Sequence, residues 1–214
     1  GEDSLVGGGG NDWIEGGSGR DLVHGGLDDD TILGDAGNDT LYGGVADADL
    51  CLQNDTCVLD TAGADAIDGG SGHDTISGNG GNDLLLGGTG DDAITGDDGN
   101  DSIEGGDGQD SLDGLNGNDS INGQAGFDSV TGGGGDDWLS GGTDLDVISE
   151  TADVDFTLSN SSMTGLGGDQ LLDFEYAQLT GGAGANRFDT TAFTGHVTLV
   201  GAAGSDTLMA GPGS

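Results

Sequence analysis

The sequence predicts an all-β solenoid, a coil of short strands stacked into two parallel sheets. Three observations support this prediction: a nine-residue repeat, an apolar residue at one fixed position of the repeat, and turn-forming residues at most of the other positions. The chain has 214 residues, with 50 Gly and a single Pro. A collagen helix needs Gly at every third residue, and a disordered acidic chain has no need of a nine-residue period, so neither class fits.

The repeat keeps one frame over most of the first 149 residues. From Gly7 the blocks are GGGGNDWIE, GGSGRDLVH, GGLDDDTIL and GDAGNDTLY. From Gly69 nine further blocks follow, beginning with GGSGHDTIS and ending with GGTDLDVIS at Ser149. Positions 1 to 6 hold mostly Gly, Asn and Asp, which tolerate tight turns and positive φ angles. Each block therefore predicts a six-residue turn followed by a three-residue strand at positions 7 to 9.

Position 8 of the block predicts the core. Side chains of a strand alternate between two faces, so position 8 points to one side and positions 7 and 9 point to the other. Position 7 is mixed, with Trp13, Thr31 and Ser102 among its residues, which is typical of an outer face. Position 8 is apolar in all thirteen blocks: Ile14, Val23, Ile32, Leu41, Ile76, Leu85, Ile94, Ile103, Leu112, Ile121, Val130, Leu139 and Ile148. We therefore expect two blocks per coil and a thin core between the two sheets.

Position 6 predicts two rows of carboxylates. Asp residues that lie 18 apart occupy the same edge of neighbouring coils, because one coil contains two blocks. All thirteen blocks have Asp at this position: Asp12, Asp21, Asp30, Asp39, Asp74, Asp83, Asp92, Asp101, Asp110, Asp119, Asp128, Asp137 and Asp146. Asp3, Asp65 and Asp206 hold the equivalent place in less regular stretches. A single Asp in a turn is commonly just a solvated turn former, but the strict spacing favours a metal-binding role.

The donor set points to calcium. Carboxylates and backbone carbonyls suit a hard cation, whereas zinc and copper prefer His or Cys, and magnesium keeps its waters and its octahedral geometry. The chain contains 36 Asp and five Glu and has a formal net charge of −39. One apolar residue per block offers little burial energy against backbone ordering and carboxylate repulsion. We therefore expect several calcium ions to bind and the chain to fold in the same event.

The blocks follow the pattern G-G-x-G-x-D-x-U-x, and the sequence resembles the RTX (repeat-in-toxin) family over residues 1–44 and 63–149. The resemblance implies a right-handed parallel β-roll with each ion held between one block and the block two further on. Carried over to this chain, it pairs Asp12 with Asp30, Asp92 with Asp110, and Asp119 with Asp137. It also implies carbonyl ligands from the turns, including Gly70, Gly72, Gly88, Gly90, Gly106 and Gly108. Type I secretion and an extracellular location are further implications of the resemblance.

The period fails between Gly44 and Gly63, which predicts an inserted loop at residues 45–62 within the repeat region 1–149. The loop carries both cysteines of the chain, Cys51 and Cys57. In an oxidising extracellular setting we expect a small disulfide between them, and the alternative is a pair of free thiols. The loop is a candidate for recognising a partner.

Residues 150–214 predict an irregular continuation of the solenoid with few calcium sites, or a separate small cap. Strand-like alternation persists in DVDFTLS and HVTLV, and Asn186 stands where an Asp is expected. We expect a larger core here from Phe156, Leu158, Leu171, Leu172, Phe174, Leu179, Phe188, Val197 and Leu199. The chain begins at position 4 of a block and ends at position 5, which we expect of a piece of a longer protein or of a unit that stacks on other chains.

Several function classes are excluded on sequence grounds. The chain has two Lys and Arg residues against 41 Asp and Glu, so we expect no nucleic-acid partner. No apolar run approaches the ~20 residues of a membrane-spanning helix. There is no metalloprotease, serine-hydrolase or phosphate-loop motif, so we expect no enzyme and assign no catalytic residue.

The leading hypothesis is an extracellular calcium-binding structural module within a larger secreted or surface protein, such as an adhesin. One alternative is a calcium-stabilised filament or matrix subunit that associates end to end. The other is the folding and secretion region of a secreted hydrolase. A cell-surface or polysaccharide ligand remains open as a further partner.

Overall fold

The chain forms two long β-sheets that face each other. In this computed structural model, residues 1–44 and 63–212 are described, and those residues contain strands and turns but no helix. None of them therefore forms a helix that is long and apolar enough to cross a membrane.

The first sheet has ten strands. In spatial order they are β1 (Ser4–Gly9), β3 (Leu22–Leu27), β5 (Thr40–Tyr42), β7 (Thr75–Ser77), β9 (Ala93–Thr95), β11 (Ser111–Asp113), β13 (Ser129–Thr131), β15 (Val147–Thr151), β19 (Tyr176–Thr180) and β21 (His196–Val200).

The second sheet has twelve strands. In spatial order they are β2 (Trp13–Glu15), β4 (Thr31–Leu33), β6 (Ala66–Ser71), β8 (Leu84–Thr89), β10 (Ser102–Asp107), β12 (Ser120–Ala125), β14 (Trp138–Thr143), β18 (Gly168–Leu172), β17 (Ser162–Thr164), β16 (Phe156–Ser159), β20 (Arg187–Ala192) and β22 (Thr207–Ala210).

Successive coils of the repeat region stack in parallel with a register of 18 residues. Ile103 in β10 pairs with Leu85 in β8 on one side and with Ile121 in β12 on the other. Consecutive blocks place their strands in alternate sheets, so two blocks make one coil, as predicted. The parallel β-solenoid is therefore confirmed.

Several strands are longer than the predicted three residues. In the second sheet β6, β8, β10, β12 and β14 run on through positions 1 to 3 of the next block. Gly88, at position 2, allows this because its φ is +104° and because any Cβ there would collide with the carbonyl oxygen of Gly70 in the preceding coil. The extension depends on close approach between coils, which the local pattern of one block does not show.

Position 8 forms the core, as predicted. From Val23 to Ile148 its residues are at most 1% exposed, whereas Ile14 in β2 is only partly buried. Position 7 lies on the outer face, where Trp13 is 66% exposed and Trp138 is 42% exposed. Ile67 of β6 joins the core as an additional member.

The break in the repeat between Gly44 and Gly63 leaves the stacking of the described coils intact. Leu41 pairs with Ile76 and Ile32 pairs with Ile67, so the offset is 35 residues where other coils have 18, which leaves 17 extra residues. The extra residues lie between Gly44 and Gly63 in the sequence. Cys51, Cys57 and the rest of the predicted loop lie outside the described residues.

The coils after Ser149 stay in the same two sheets but are less regular. β15, β19 and β21 extend the first sheet in parallel, whereas β16, β17 and β18 form antiparallel pairs within the second sheet. This antiparallel segment was not predicted. The core of these coils has larger side chains, and most of the predicted members are buried: Phe156, Leu158, Leu171, Leu179 and Phe188. Met163 and Phe193 are also buried there, although they were not predicted. Of the other predicted members, Phe174, Val197 and Leu199 are partly buried, and Leu172 is 48% exposed.

Candidate calcium-binding turns

The position 6 carboxylates form two continuous rows along the edges of the solenoid. In each row one carboxylate oxygen, Oδ1, accepts a hydrogen bond from the backbone N–H of the Asp in the preceding coil. The N–H of Asp83 donates to Asp101 over 2.8 Å, and the N–H of Asp92 donates to Asp110 over 2.9 Å. Each carboxylate therefore lies directly above the Asp of the coil below.

We call these rows 1 and 2. Row 1 contains Asp3, Asp21, Asp39, Asp74, Asp92, Asp110, Asp128 and Asp146. Row 2 contains Asp12, Asp30, Asp65, Asp83, Asp101, Asp119 and Asp137. Every repeat Asp predicted from the sequence lies in one of the two rows, and the predicted pairs 18 residues apart are neighbours.

The second oxygen of these carboxylates, Oδ2, is buried and has no hydrogen-bond partner among the described residues. This holds for Asp12, Asp21, Asp39, Asp74, Asp83, Asp92, Asp101, Asp110, Asp119, Asp128, Asp137 and Asp146. A buried carboxylate oxygen without a partner costs free energy unless a cation neutralises it. The repeated orphan oxygen is the strongest structural sign that a cation belongs in these turns.

A backbone carbonyl from the next coil faces the same space as the orphan oxygen in these turns, except at Asp137, where the Leu139 side chain lies beside it. A Cβ placed on Gly69, at position 1, would lie 2.7 Å from Oδ2 of Asp74 and 2.7 Å from the carbonyl oxygen of Gly87. Only Gly leaves that space open, which explains position 1 of the repeat. The turn therefore presents one carboxylate oxygen and one carbonyl oxygen side by side.

The predicted Gly carbonyls also stack between coils. The carbonyl oxygens of Gly72 and Gly90 point at Gly90 and Gly108 of the following coil. No backbone hydrogen bond among the described residues ends on either of these two carbonyls. The same arrangement places the carbonyls of Gly70 and Gly88 beneath Gly88 and Gly106.

Burial opposes ionisation of the row carboxylates. It raises the pKa of Asp74, Asp83 and Asp119 from 3.8 to about 7, and repulsion from neighbouring carboxylates adds to the shift. The backbone hydrogen bond that each carboxylate accepts lowers the pKa but does not offset the burial. Without a bound cation, the ionised form of these carboxylates is therefore destabilised at neutral pH.

The donor set fits calcium better than a metal held by side chains alone. Within residues 1–44 and 63–212, no three acidic, His or Cys side chains converge to form a metal cluster. Ligands must therefore combine carboxylates with backbone carbonyls, which calcium accepts in its flexible shell of six to eight oxygens.

The turn that carries the insertion keeps the same geometry. The N–H of Asp30 donates to Oδ1 of Asp65 over 2.7 Å, and the N–H of Asp65 donates to Oδ1 of Asp83 over 2.8 Å. A Cβ on Gly43 would collide with Oδ2 of Asp65, as at the uninterrupted turns. Row 2 therefore continues through Asp65 across the break in the repeat.

Two acidic residues that sequence reasoning missed continue the rows. The N–H of Asp137 donates to Oδ1 of Asp169 over 3.3 Å, and the N–H of Asp146 donates to Oε2 of Glu175 over 3.0 Å. They lie 32 and 29 residues further on, so the nine-residue frame hides them. The sequence around Asp169 does carry part of the repeat motif, because two Gly precede this Asp and the apolar Leu171 follows it by two positions.

Glu150 is a third missed residue, at a place where the frame has Gly. Its side chain is 3% exposed, and Oε1 accepts hydrogen bonds from the N–H groups of Gly132 at 2.9 Å and Gly133 at 3.1 Å. Burial raises the pKa of Glu150 to about 7 despite those two bonds. Glu150 thus closes the turn beside Asp137 at the boundary with the irregular coils.

Position 5 forms a second ladder that the sequence did not reveal. The N–H of Asn118 donates to Oδ1 of Asn100 over 2.7 Å, and the N–H of Asp136 donates to Oδ1 of Asn118 over 2.8 Å. Here the side chain accepts from the coil that follows, so this ladder runs opposite to the Asp rows. Asn at the variable position of the repeat is therefore a structural residue on this edge.

The turn at Asn186 replaces the expected Asp with an amide. The N–H of Asn186 donates to Oδ1 of Asp206 at 2.9 Å, which places Asp206 as a row member would be placed. The side-chain Nδ2 of Asn186 donates to Oδ1 of Asp153 at 3.0 Å, as does the N–H of Gly184 at 2.8 Å. These hydrogen bonds lower the pKa of Asp153. In this turn the amide of Asn186 stabilises the carboxylate of Asp153, a role that a cation would have in the regular turns.

A family model for the RTX calcium-binding nonapeptide repeat matches residues 1–32, 24–47, 59–94, 77–112, 86–121, 113–148 and 194–214, well over half of the chain. The chain belongs to this RTX family. It is a calcium-binding repeat protein, and its many stacked turns provide for several calcium ions. Residues 149–193, which include Glu150, Asp169 and Glu175, lie outside the family matches. The search of curated proteins returned no match.

Proposed function

We propose that this RTX chain is a structural module that folds when calcium fills the turns of rows 1 and 2. The ligands would be the position 6 carboxylates, from Asp3 and Asp12 to Asp137 and Asp146, with the turn carbonyls of Gly70, Gly72, Gly88, Gly90, Gly106 and Gly108. The observation that carries this proposal is the buried, unpartnered Oδ2 repeated along both rows.

The proposed module works outside the cell. Its sites combine one carboxylate oxygen per Asp with weak carbonyl donors on a strongly acidic chain, as in extracellular modules that bind calcium at ~10⁻⁴ to 10⁻³ M. Such affinities leave the sites empty at cytosolic calcium and filled in extracellular fluid. RTX repeats also typically occur in secreted proteins. The regular coils would thus remain unfolded until export, and the chain would then become a rigid part of a larger secreted or surface protein.

A structural role is favoured over catalysis by what the carboxylates already do. One oxygen of each row Asp accepts a backbone hydrogen bond, and the other faces the proposed ion. A general acid and base pair would need carboxylates free to contact a substrate. We therefore assign no catalytic residue to the rows.

The test is a calcium titration of the chelated chain, followed by far-UV circular dichroism, with magnesium as the control ion. We expect a cooperative gain of β signal with calcium and none with magnesium at equal concentration. Asp101→Asn, in the middle of row 2, should raise the calcium midpoint several-fold. Asp107→Asn is the matched control, because Asp107 is exposed on the next turn and belongs to neither row.

Full β signal in chelator would overturn the proposal, as would equal folding in magnesium. Equal midpoints for Asp101→Asn and Asp107→Asn would leave calcium-dependent folding in place but remove row 2 as its cause.

A further inference from the structure

Three aromatic rings form a line at the outer surface of the first sheet, with Phe127 in the turn before β13, Tyr176 at the start of β19 and His196 at the start of β21. The rings of Phe127 and Tyr176 have centroids 6.1 Å apart, and those of Tyr176 and His196 are 5.3 Å apart. Phe127 is 45% exposed, His196 is exposed and Tyr176 is partly buried. Solvent-exposed rings in a line are unusual on this chain, where aromatic residues make up 4% of the sequence.

Strand register places this aromatic line beside a line of hydroxyl and amide side chains. Val147 pairs with Tyr176, which pairs with His196, so Tyr176 and His196 share position 7 of neighbouring strands. Two residues further along the same strands and on the same face lie Ser149, Gln178 and Thr198. The two lines run parallel and are separated by one two-residue step, roughly 7 Å.

A groove of about 420 Å³ adjoins the hydroxyl line at its end nearest the regular coils. Its walls include Leu115 and Leu166, both exposed apolar side chains, and its polar lining includes Thr131, Ser149 and Asp113. Glu150 also lines the groove. Its Oε1 is occupied by two backbone N–H groups, and its Oε2 accepts no hydrogen bond from the described residues.

Tyr176 and His196 stack on each other with an interplanar angle of 21°, whereas the exposed ring of Phe127 is tilted by 44° to Tyr176. The surface therefore combines the tilted ring of Phe127 with apolar walls, hydroxyls and carboxylate acceptors. Ring faces pack against the C–H faces of sugars, and carboxylate or hydroxyl oxygens accept the hydrogen bonds that sugar hydroxyls donate. A site with apolar walls and a few placed polar groups is typical of small-molecule and cofactor recognition. Positions along the face repeat at the ~4.8 Å strand spacing, which suits a ligand that is itself periodic.

The negative charge of the chain restricts the class of ligand further. The net charge of −39 repels acidic polysaccharides, and of the two cationic residues only Arg187 lies in these coils, where it pairs with Asp189 at 2.9 Å. We propose that the outer face of β13, β15, β19 and β21, with its adjoining groove, binds a neutral polysaccharide. This role goes beyond calcium-driven folding, because it uses side chains outside rows 1 and 2.

The test is binding of the calcium-loaded chain to an array of neutral, acidic and amine-bearing oligosaccharides, followed by calorimetry on the strongest neutral hit. We expect binding to neutral members that persists in 0.5 M NaCl, because ring stacking and hydrogen bonds are little screened. Phe127→Ala should weaken binding at least about tenfold, as removal of a central aromatic contact does at other interfaces. Ser149→Ala should weaken it less.

Trp13→Ala is the matched control, because Trp13 is the most exposed aromatic ring described and lies in the second sheet. The affinity of Trp13→Ala for the neutral glycan should equal that of the parent chain. Each variant is first checked for an unchanged calcium midpoint by circular dichroism, so that a folding defect is recognised independently.

The proposal is overturned if the folded chain binds no neutral glycan, if Phe127→Ala and the parent chain bind with equal affinity, or if Trp13→Ala is the variant that loses binding. Binding confined to amine-bearing glycans and abolished by salt would also overturn it, since that pattern reports attraction to net negative charge.

Discussion

The regular coils before residue 150 and the irregular coils after it solve the same packing problem in different ways. In the regular coils each block contributes one aliphatic residue to the core, and most of the stacked carboxylates have a buried Oδ2 with no hydrogen-bond partner among the described residues. In the later coils Phe156, Phe188 and Phe193 fill the core, and Asn186 donates to Asp153 where a cation would otherwise sit.

From this comparison we expect the acidic turns of the regular coils to depend on calcium for folding, and the later coils to depend on it less. Aromatic side chains bury roughly 150 to 250 Å² each, so the later coils gain more hydrophobic free energy per coil. The rings of Phe156 and Phe188 also stack at 5.6 Å. We therefore expect calcium dependence to change along the chain, with the boundary near Glu150.

The largest expected effect is a split response to chelation. With excess chelator, backbone amides of β6 to β14 should exchange with solvent rapidly, whereas amides of β19 and β20 should retain protection. The physical reason is that the turn at Asn186, next to β20, satisfies the carboxylate of Asp153 with hydrogen bonds. Hydrogen exchange read by mass spectrometry checks this, with the calcium-loaded chain as reference. Uniform loss of protection in both regions would show that the later coils depend on the regular ones.

A smaller effect is expected from pH in the absence of calcium. Burial raises the pKa of Asp74, Asp83 and Asp119 to about 7, and of Asp92, Asp101 and Asp128 to about 6. A group whose pKa is higher when folded adds stability below its unfolded value of 3.8, and this stability is lost as pH rises through 6 to 7. In chelator, β signal of the regular coils should therefore increase from pH 7.5 to pH 5.

Asp153 provides the internal contrast for that experiment. Hydrogen bonds from Asn186 and Gly184 lower its pKa, so its stabilising contribution is present above 3.8 and is lost as pH falls through its lower folded value. Circular dichroism in chelator across pH 2 to 8 covers both the loss of the Asp153 contribution at low pH and the loss of the row contribution near pH 6 to 7. A β signal that falls between pH 7.5 and pH 5 would contradict the assignment of buried, protonatable carboxylates to the rows.

Next in size is Asn186→Asp, which converts the hydrogen-bonded turn into an acidic one. The substitution removes the donor to Asp153 and places a third carboxylate beside Asp153 and Asp206. We expect a loss of about 1 to 3 kcal/mol in the free energy of unfolding in chelator, with partial recovery in calcium. Denaturant unfolding with and without calcium measures both values. Asn160→Asp, at an exposed amide that bonds Thr194, is the control. Equal losses for the two variants would show that the Asn186 amide has no special role.

The smallest effect is expected in the position 5 ladder. Asn118→Ala removes the acceptor for the N–H of Asp136 but leaves the Asp119 row contact in place. Since the site is exposed, water can replace part of the lost bond, and we expect about 0.5 to 1 kcal/mol of destabilisation without a change in calcium stoichiometry. Thermal unfolding measures the destabilisation, and calorimetric titration measures the calcium stoichiometry. A lost ion would mean that the ladder belongs to the calcium site.

The sequence by itself determined the fold and most of both rows. A strict period of nine, with Ile103 or Leu112 at position 8 and Asp101 or Asp110 at position 6, predicts the coil because each feature is local and repeats. Strand alternation then decides which side chains enter the core, and two blocks per coil decide which Asp residues become neighbours.

Only the tertiary structure decided the rest. Asp169 and Glu175 join the rows across 32 and 29 residues, Glu150 caps the backbone of Gly132, and Phe127 reaches Tyr176 across an intervening strand. None of these contacts has a fixed spacing, since irregular coils differ in length and can be aligned only once the chain is folded. The unequal roles of the two Asp oxygens likewise depend on the stacked coil, because one bonds the coil below and the other faces the space beside a Gly of its own turn.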